Sequence, residues 1–337
     1  MAAVADRARI AVIFTGGTIS MLPDPVTGAA VPALDGAAIL ERVPGLAAIA
    51  ELEPIDWGLV PASHLRFSQI LEIGGLIADA AEREDIDGVV VVQGTDVLEE
   101  TAYAWDLLHA IDTPVVVVGA MRNASEPDYE GPANLTDAVR VAADPLMRGQ
   151  GVAVVMDGRI LPADDVTKTN SQAIDTFQAL NDGPLGHVRG GEVVFERERG
   201  GRRMLLVWPP AAVEPVALLT AVVSTDGSLL RAALGQGSRG IVVEATGSGN
   251  TDPDLLAAAV EAMDAGVPVA LTTRCASGAV APLYGFPGGG RSWQQAGAIM
   301  AGTLSGPKAR IALALGLGAG LDRAGLGELL GEPPADD

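Results

Sequence analysis

Two hydroxyl-rich turns are the parts of this 337-residue sequence best suited to chemistry. Thr15-Gly16-Gly17-Thr18 follows the apolar run Ile10–Phe14, and Gln93-Gly94-Thr95-Asp96 follows Gly88–Val92. A threonine hydroxyl is a weak nucleophile that needs a base and a group to stabilise the oxyanion. Glycines let a ligand approach the backbone, and amides at such a turn can hold an oxyanion. Asp96 and a lysine can supply the charge. Only two of the 22 basic residues are lysines, Lys168 and Lys308. Where arginine serves almost everywhere, a retained lysine suggests a need for a compact amine that can lose its proton. Lys168 lies in the polar stretch Asp165-Val166-Thr167-Lys168-Thr169-Asn170, whereas Lys308 opens an apolar segment and reads as a surface residue at a helix start.

The elements that must position these groups are short β-branched runs alternating with helical periodicity. Strands are expected at Arg9–Phe14, Gly88–Val92, Pro114–Val118, Gly151–Met156, Val216–Val223, Gly240–Glu244 and Val267–Leu271. Most are continuously apolar, as in parallel sheets covered on both faces. Leu98–His109 and Leu255–Ala265 carry apolar residues at helical spacing. The fold class is therefore α/β, and in such sheets ligands bind beyond the carboxyl ends of the strands. A charged, glycine- and proline-bearing break divides the chain. It suggests a larger N-terminal domain over 1–188, a hairpin and linker over 189–215, and a smaller C-terminal α/β domain over 216–337.

Taken singly, several residues have plainer readings. Asp96 with Glu99 three positions on fits a helix N-cap. His109 reads as structural, His187 as closing a turn, and His64 as lining a pocket beside Ser63. Three scattered histidines and the single Cys275 give no metal spacing and no intrachain disulfide, so no metal is expected, and the threonine and lysine chemistry outlined above needs no organic cofactor. Gly235–Gly240 fits the letters of a dinucleotide fingerprint but precedes its strand instead of following it. The net charge of −21 and pI near 4.4 oppose binding to nucleic acid or anionic membranes. The apolar N-terminal run is short and flows into the Thr15 turn, and no run is long enough to span a bilayer, so a cytoplasmic protein is expected.

The segments VIFTGGTIS, VVVQGTDVLEETAY, PVVVVGAMR, DVTKTN and DGPLGHV, supported by 131–143 and 302–315, resemble the bacterial L-asparaginase family in order along nearly the whole chain. The resemblance implies a flavodoxin-like N-terminal domain, a smaller α/β domain, and side-chain amide hydrolysis through a covalent acyl-enzyme in a homotetramer built from intimate dimers. It places Thr15 as nucleophile and Thr95 with Lys168 as the second catalytic threonine and its lysine. Asp96 would hold the substrate's α-amino group and Ser63 its α-carboxylate. Gly94 and Thr95 would offer amides to the oxyanion, and Asn250 would reach into a neighbouring subunit's site. The sequence departs from the family pattern at Gln93 and Val97, where His and Thr are usual. It also lacks the loop tyrosine between Met21 and Asp35, and 277–293 lacks a carboxylate; Tyr284 there is a candidate substitute hydroxyl. These departures keep two alternatives in view: an amidase acting on another small amide, and a non-catalytic binder of aspartate-like ligands.

Overall fold

The computed structural model describes residues 7–110 and 112–332. The chain divides into two compact units, one running through Arg202 and the other starting at Arg203.

The first unit begins with β1 (Arg9–Phe14), a hairpin of β2 (Met21–Pro23) and β3 (Ala30–Pro32), helices α1 (Gly36–Glu41) and α2 (Leu46–Ile49), and β4 (Glu51–Asp56). Next come α3 (Phe67–Ala81), β5 (Gly88–Val92), α4 (Leu98–Leu108), β6 (Val115–Val118), α5 (Gly131–Ala143) and β7 (Val152–Met156). It ends with β8 (Arg159–Pro162), a ribbon of β9 (Val166–Lys168) and β10 (Phe177–Ala179), then β11 (Gly186–Arg189) and β12 (Glu192–Phe195). The main sheet has the order β12-β11-β8-β7-β6-β5-β1-β4. Its β4-β1-β5-β6-β7 portion is parallel, the doubly wound order expected of a flavodoxin-like core. Every residue of β5, β6 and β7 is buried, because α3 and α4 cover one face and α5 the other. Trp105 of α4 fixes that layer by donating to the Ile70 carbonyl at 2.9 Å.

β6 starts one residue later than expected, after Pro114, which has no N–H to give the ladder. Past β7 the sheet turns antiparallel through Asp157-Gly158, both at positive φ (50° and 66°), the two-residue turn that matches strand twist. β11 and β12 form a hairpin that begins at Gly186, before the expected start at 189, and it extends the large sheet beside β8. His187 therefore sits within β11, not at a turn, with Nδ1 3.0 Å from Glu196 Oε1. The arginine-rich stretch that follows is tied down. Asp106, buried in α4, accepts from Arg199 at 2.6 and 2.9 Å, from Arg202 Nε at 3.0 Å and from the Val152 amide at 2.9 Å.

The second unit contains β13 (Val216–Thr220), α6 (Ser228–Gly235), β14 (Gly240–Ala245), α7 (Pro253–Asp264), β15 (Val269–Thr273), α8 (Gly290–Gln295), β16 (Ile299–Met300), α9 (Gly306–Gly318) and α10 (Arg323–Leu330). Its sheet, β13-β14-β15-β16, is parallel throughout, and Leu230, Val243, Leu271 and Trp293 lie in its core. β13 stops at Thr220, leaving Val222 and Val223 exposed. Lys308 overturns its expected surface position and is 1% exposed. The reason is that α9 is buried around most of its circumference, first turn included. Among the described residues no helix is long and apolar enough to cross a membrane, and no group of three or more His, Cys, Asp or Glu could hold a metal.

His109 caps the C-terminus of α4 and is 3% exposed. Burial pushes its pKa down to about 4, with Arg202 adding to the effect and Asp106 opposing it. Between about pH 6.5 and 4 the unfolded imidazole takes a proton that the folded one refuses, so stability is lost as pH falls through that window. The loss is on the order of 3 kcal/mol. Urea unfolding at several pH values should show a smaller acid-side loss for His109→Gln than for the wild type, and parallel curves would exclude this histidine as the source.

Candidate functional site

The topology places the two hydroxyl-rich turns side by side. β1 neighbours β4 on one side and β5 on the other, so the chain leaves this pair of strands in opposite directions and opens a crevice at their carboxyl ends. The turn after β1 begins with Thr15, whose N–H and Oγ1 both donate to the Val92 carbonyl, at 3.0 and 3.1 Å. Gly16 and Gly17 follow at φ of 104° and 94°, a region that side chains avoid. A Cβ on Gly17 would overlap the Cα and N of Gly94, so the two turns touch backbone to backbone. Ser20 closes the first turn, donating from N–H and Oγ to the Gly17 carbonyl.

The turn after β5 is anchored by Gln93, fully buried, whose Nε2 donates to Thr101 Oγ1 at 2.8 Å and to the Gly94 carbonyl at 3.3 Å. The glutamine thus serves as a neutral strut to α4. Thr95 is 4% exposed and Thr15 1% exposed. Lys168 arrives on β9, with Nζ 3.0 Å from Thr95 Oγ1 and 3.3 Å from Asp96 Oδ1. The lysine side chain is 17% exposed and the aspartate 65%, so one end of the pair is enclosed while the other faces solvent. Asp96 does not cap α4: the helix starts one residue later, its N-cap is Val97, and no side chain fills that role. Its carboxylate lies instead 3.3 Å from Lys168 Nζ.

Glu99 was legible only as half of a capping box, and its role differs. Its Oε2 accepts the backbone N–H of Lys168 at 2.7 Å, clamping β9 to the first turn of α4. No local pattern announces a contact spanning 69 residues. A third loop completes the cluster. Val60 N–H donates to the Thr15 carbonyl at 3.0 Å, Ala62 packs against Gly94, and the short turn Ala62–His64 leaves Ser63 and His64 exposed beside it.

Asn250 and Tyr284 belong to the second unit. Asn250 closes a tight turn with Thr246, exchanging backbone bonds of 2.9 and 3.0 Å, and its Oδ1 accepts from Gly290 N–H at 3.4 Å. Tyr284 is about half exposed, its ring 5.7 Å from that of Phe286, and its carbonyl accepts from Arg291. Thr251 N–H donates to Gly288, so the Asn250 turn and the Tyr284 loop share one side of that unit. The first unit thus assembles two hydroxyls, an amine and a carboxylate around close-packed turns, a set suited to acyl transfer.

Residues 9–200 match the family model described as Asparaginase, N-terminal, and residues 215–330 the model for the Glutaminase/Asparaginase C-terminal domain. A Deinococcus radiodurans protein named as a probable L-asparaginase is 37% identical over 327 residues, covering 95% of this chain and 96% of that protein. L-asparaginase 2 of Escherichia coli is 30% identical over 321 residues, covering 91% and 88%. The crystal structure of a probable cytoplasmic L-asparaginase from Campylobacter jejuni superposes with a TM-score of 0.82 at 29% identity, over 96% of this chain and 99% of that one.

Gly17→Ala should destabilise the first unit by about 2–5 kcal/mol, combining the cost of an unfavourable φ with overpacking. Gly28, at φ 70° with open space around it, is the control: Gly28→Ala should cost only the φ part, about 1–2 kcal/mol. Equal losses in urea unfolding would show that the Gly17–Gly94 contact does not constrain the fold.

Proposed function

The chain belongs to the asparaginase family, and on that premise we propose that this amidohydrolase converts L-asparagine to L-aspartate and ammonia through a threonine acyl-enzyme. The observation that carries the reading is the Lys168–Thr95–Asp96 cluster beside the Thr15 turn. Thr15 Oγ1 attacks the side-chain amide carbon, and the tetrahedral oxyanion is held by backbone amides near Gly94 and Thr95. A proton passes to the departing nitrogen, ammonia leaves, and a β-aspartyl ester remains on Thr15. Water, deprotonated at the Thr95–Lys168 pair, attacks that ester; aspartate departs and the Thr15 hydroxyl is restored. Asp96 holds the substrate's α-ammonium, for which its exposed carboxylate is suited, and Ser63 holds the α-carboxylate.

Asn250 and Tyr284, on one side of the second unit, serve a neighbouring copy's site in a homotetramer of intimate dimers. We place the protein in the cytoplasm, a reading supported by its lone cysteine and by the named location of the Campylobacter relative. The loop without a tyrosine favours one second reading, in which the same chemistry serves another small amide.

Ammonia release should be fast with L-asparagine and slower with L-glutamine. Thr15→Ala and Lys168→Ala should each lower kcat by about 100-fold or more. Glu99→Ala should lower it by about tenfold through misplacement of Lys168, and Glu99→Gln, which keeps an acceptor for the amide, should restore most of it. Undiminished turnover in the Thr15 or Lys168 variant would overturn the assignment of that residue. No release from either amide by the wild type would move the reaction to a different substrate.

A further inference from the structure

The chain after the Thr15 turn enters the β2–β3 hairpin, and a segment far away in sequence grips it there. Tyr129 Oη donates to the Ile19 carbonyl at 3.0 Å across 110 residues. Ala124 N–H donates to the Met21 carbonyl at 3.3 Å. The gripping segment carries its own hydrogen bonds. Glu130 accepts the N–H groups of Met121 and Arg122, the latter at 3.2 Å, and Glu126 accepts from Asn123 N–H and Nδ2 at 3.0 and 2.6 Å. The Tyr129 ring rests on Gly131 at the start of α5, where a Cβ would overlap the ring atoms. Ile19 is fully buried, two residues beyond Gly17 and four beyond Thr15.

We propose that Tyr129 is a positioning residue, a phenolic latch that preorders the segment from Thr18 to Pro32 so that substrate binding need not order it. The hydroxyl it employs comes from the loop after β6 and not from the hairpin itself, which carries no tyrosine. Burial pushes the phenol up to about 12, with Glu130 adding to this and Arg42 opposing it, so it remains a donor across the ordinary pH range. A chain already in its bound shape loses less freedom on association, and that difference appears as affinity. The meaning of that affinity rests on the function proposed above; the ordering of the hairpin does not.

The test compares wild type with Tyr129→Phe, which keeps the ring and removes the hydroxyl, and Gly131→Ala, which keeps the hydroxyl and displaces the ring. Hydrogen exchange of peptides covering 18–32 reads the latch, calorimetry reads L-aspartate binding, and ammonia release separates KM from kcat. Both variants should exchange faster over 18–32 at an unchanged thermal midpoint. The Kd for aspartate and the KM for asparagine should rise about three- to tenfold while kcat stays within about twofold. Unchanged exchange, faster exchange with unchanged affinity, or kcat and thermal midpoint falling together would each overturn the proposal. If the wild type neither binds aspartate nor releases ammonia, the functional reading fails instead, and the exchange data alone decide the latch.

Discussion

Gly17 and Gly94 meet backbone to backbone, and the geometry of the first unit is organised around that contact. Their strands are hydrogen-bonded neighbours in parallel register, with Phe14 opposite Val92. Neighbouring strands lie about 4.8 Å apart, so two turns leaving adjacent ends in the same direction have no room for side chains between them. Glycine on each resolves the conflict. Small residues stack on either side of it: Ala62 lies against Gly94, and Gly119 lies behind the Gln93 carbonyl and the Thr95 methyl. Four loops can therefore converge at one end of the sheet. Glycine's extra freedom in the unfolded chain is a cost. It is offset by strands such as β5–β7, whose side chains are almost all Val and fully buried, each contributing about 1.5–3 kcal/mol.

Onto this neutral platform the charge is brought from elsewhere. Lys168 belongs to a two-stranded ribbon outside the large sheet, and its position depends on a backbone bond to Glu99 as well as on its own side chain. The pair it forms with Asp96 is exposed at the carboxylate end, where ion pairs contribute about 0–1 kcal/mol. Stability is thus a weak reason for the arrangement, and placement of an amine against Thr95 a strong one. The Asp106–Arg199–Arg202 cluster is the contrasting case: it is enclosed and serves to fasten the end of the first unit to α4.

The sheet was readable because burial on both faces leaves an unbroken run of β-branched residues, and the turns because glycine and threonine punctuate those runs. The Thr95–Lys168 contact was readable through the scarcity of lysine and the family resemblance. The features that escaped share one physical cause, dependence on partners far along the chain. Glu99 resembles a capping residue until β9 is folded onto it. Asp96 resembles an N-cap until Lys168 competes for it. Lys308 looks like a surface cation because a helix start is usually exposed, and only the packing of α9 shows otherwise. Tyr129 sits in a polar loop with nothing local to mark it, and its partner is a backbone carbonyl, which has no sequence signature.

The two threonines are not equivalent in the resting protein. Thr95 faces an amine, whereas the Thr15 hydroxyl is committed to the Val92 carbonyl, the same acceptor that receives its own N–H. A hydroxyl that donates to a backbone carbonyl is held in one rotamer with its proton directed away from any base. Releasing it costs about 0.5–1.5 kcal/mol, small beside the barrier to amide cleavage. The resting bond thus holds the Thr15 side chain in one orientation at the end of β1. In the proposed reaction, attack requires that proton to be redirected toward a base, and the Thr95–Lys168 pair on the adjoining turn is the candidate for it. On that proposal reactivity is tied to occupancy of the site, because a substrate lying across the two touching turns would be what draws the hydroxyl out of its resting bond.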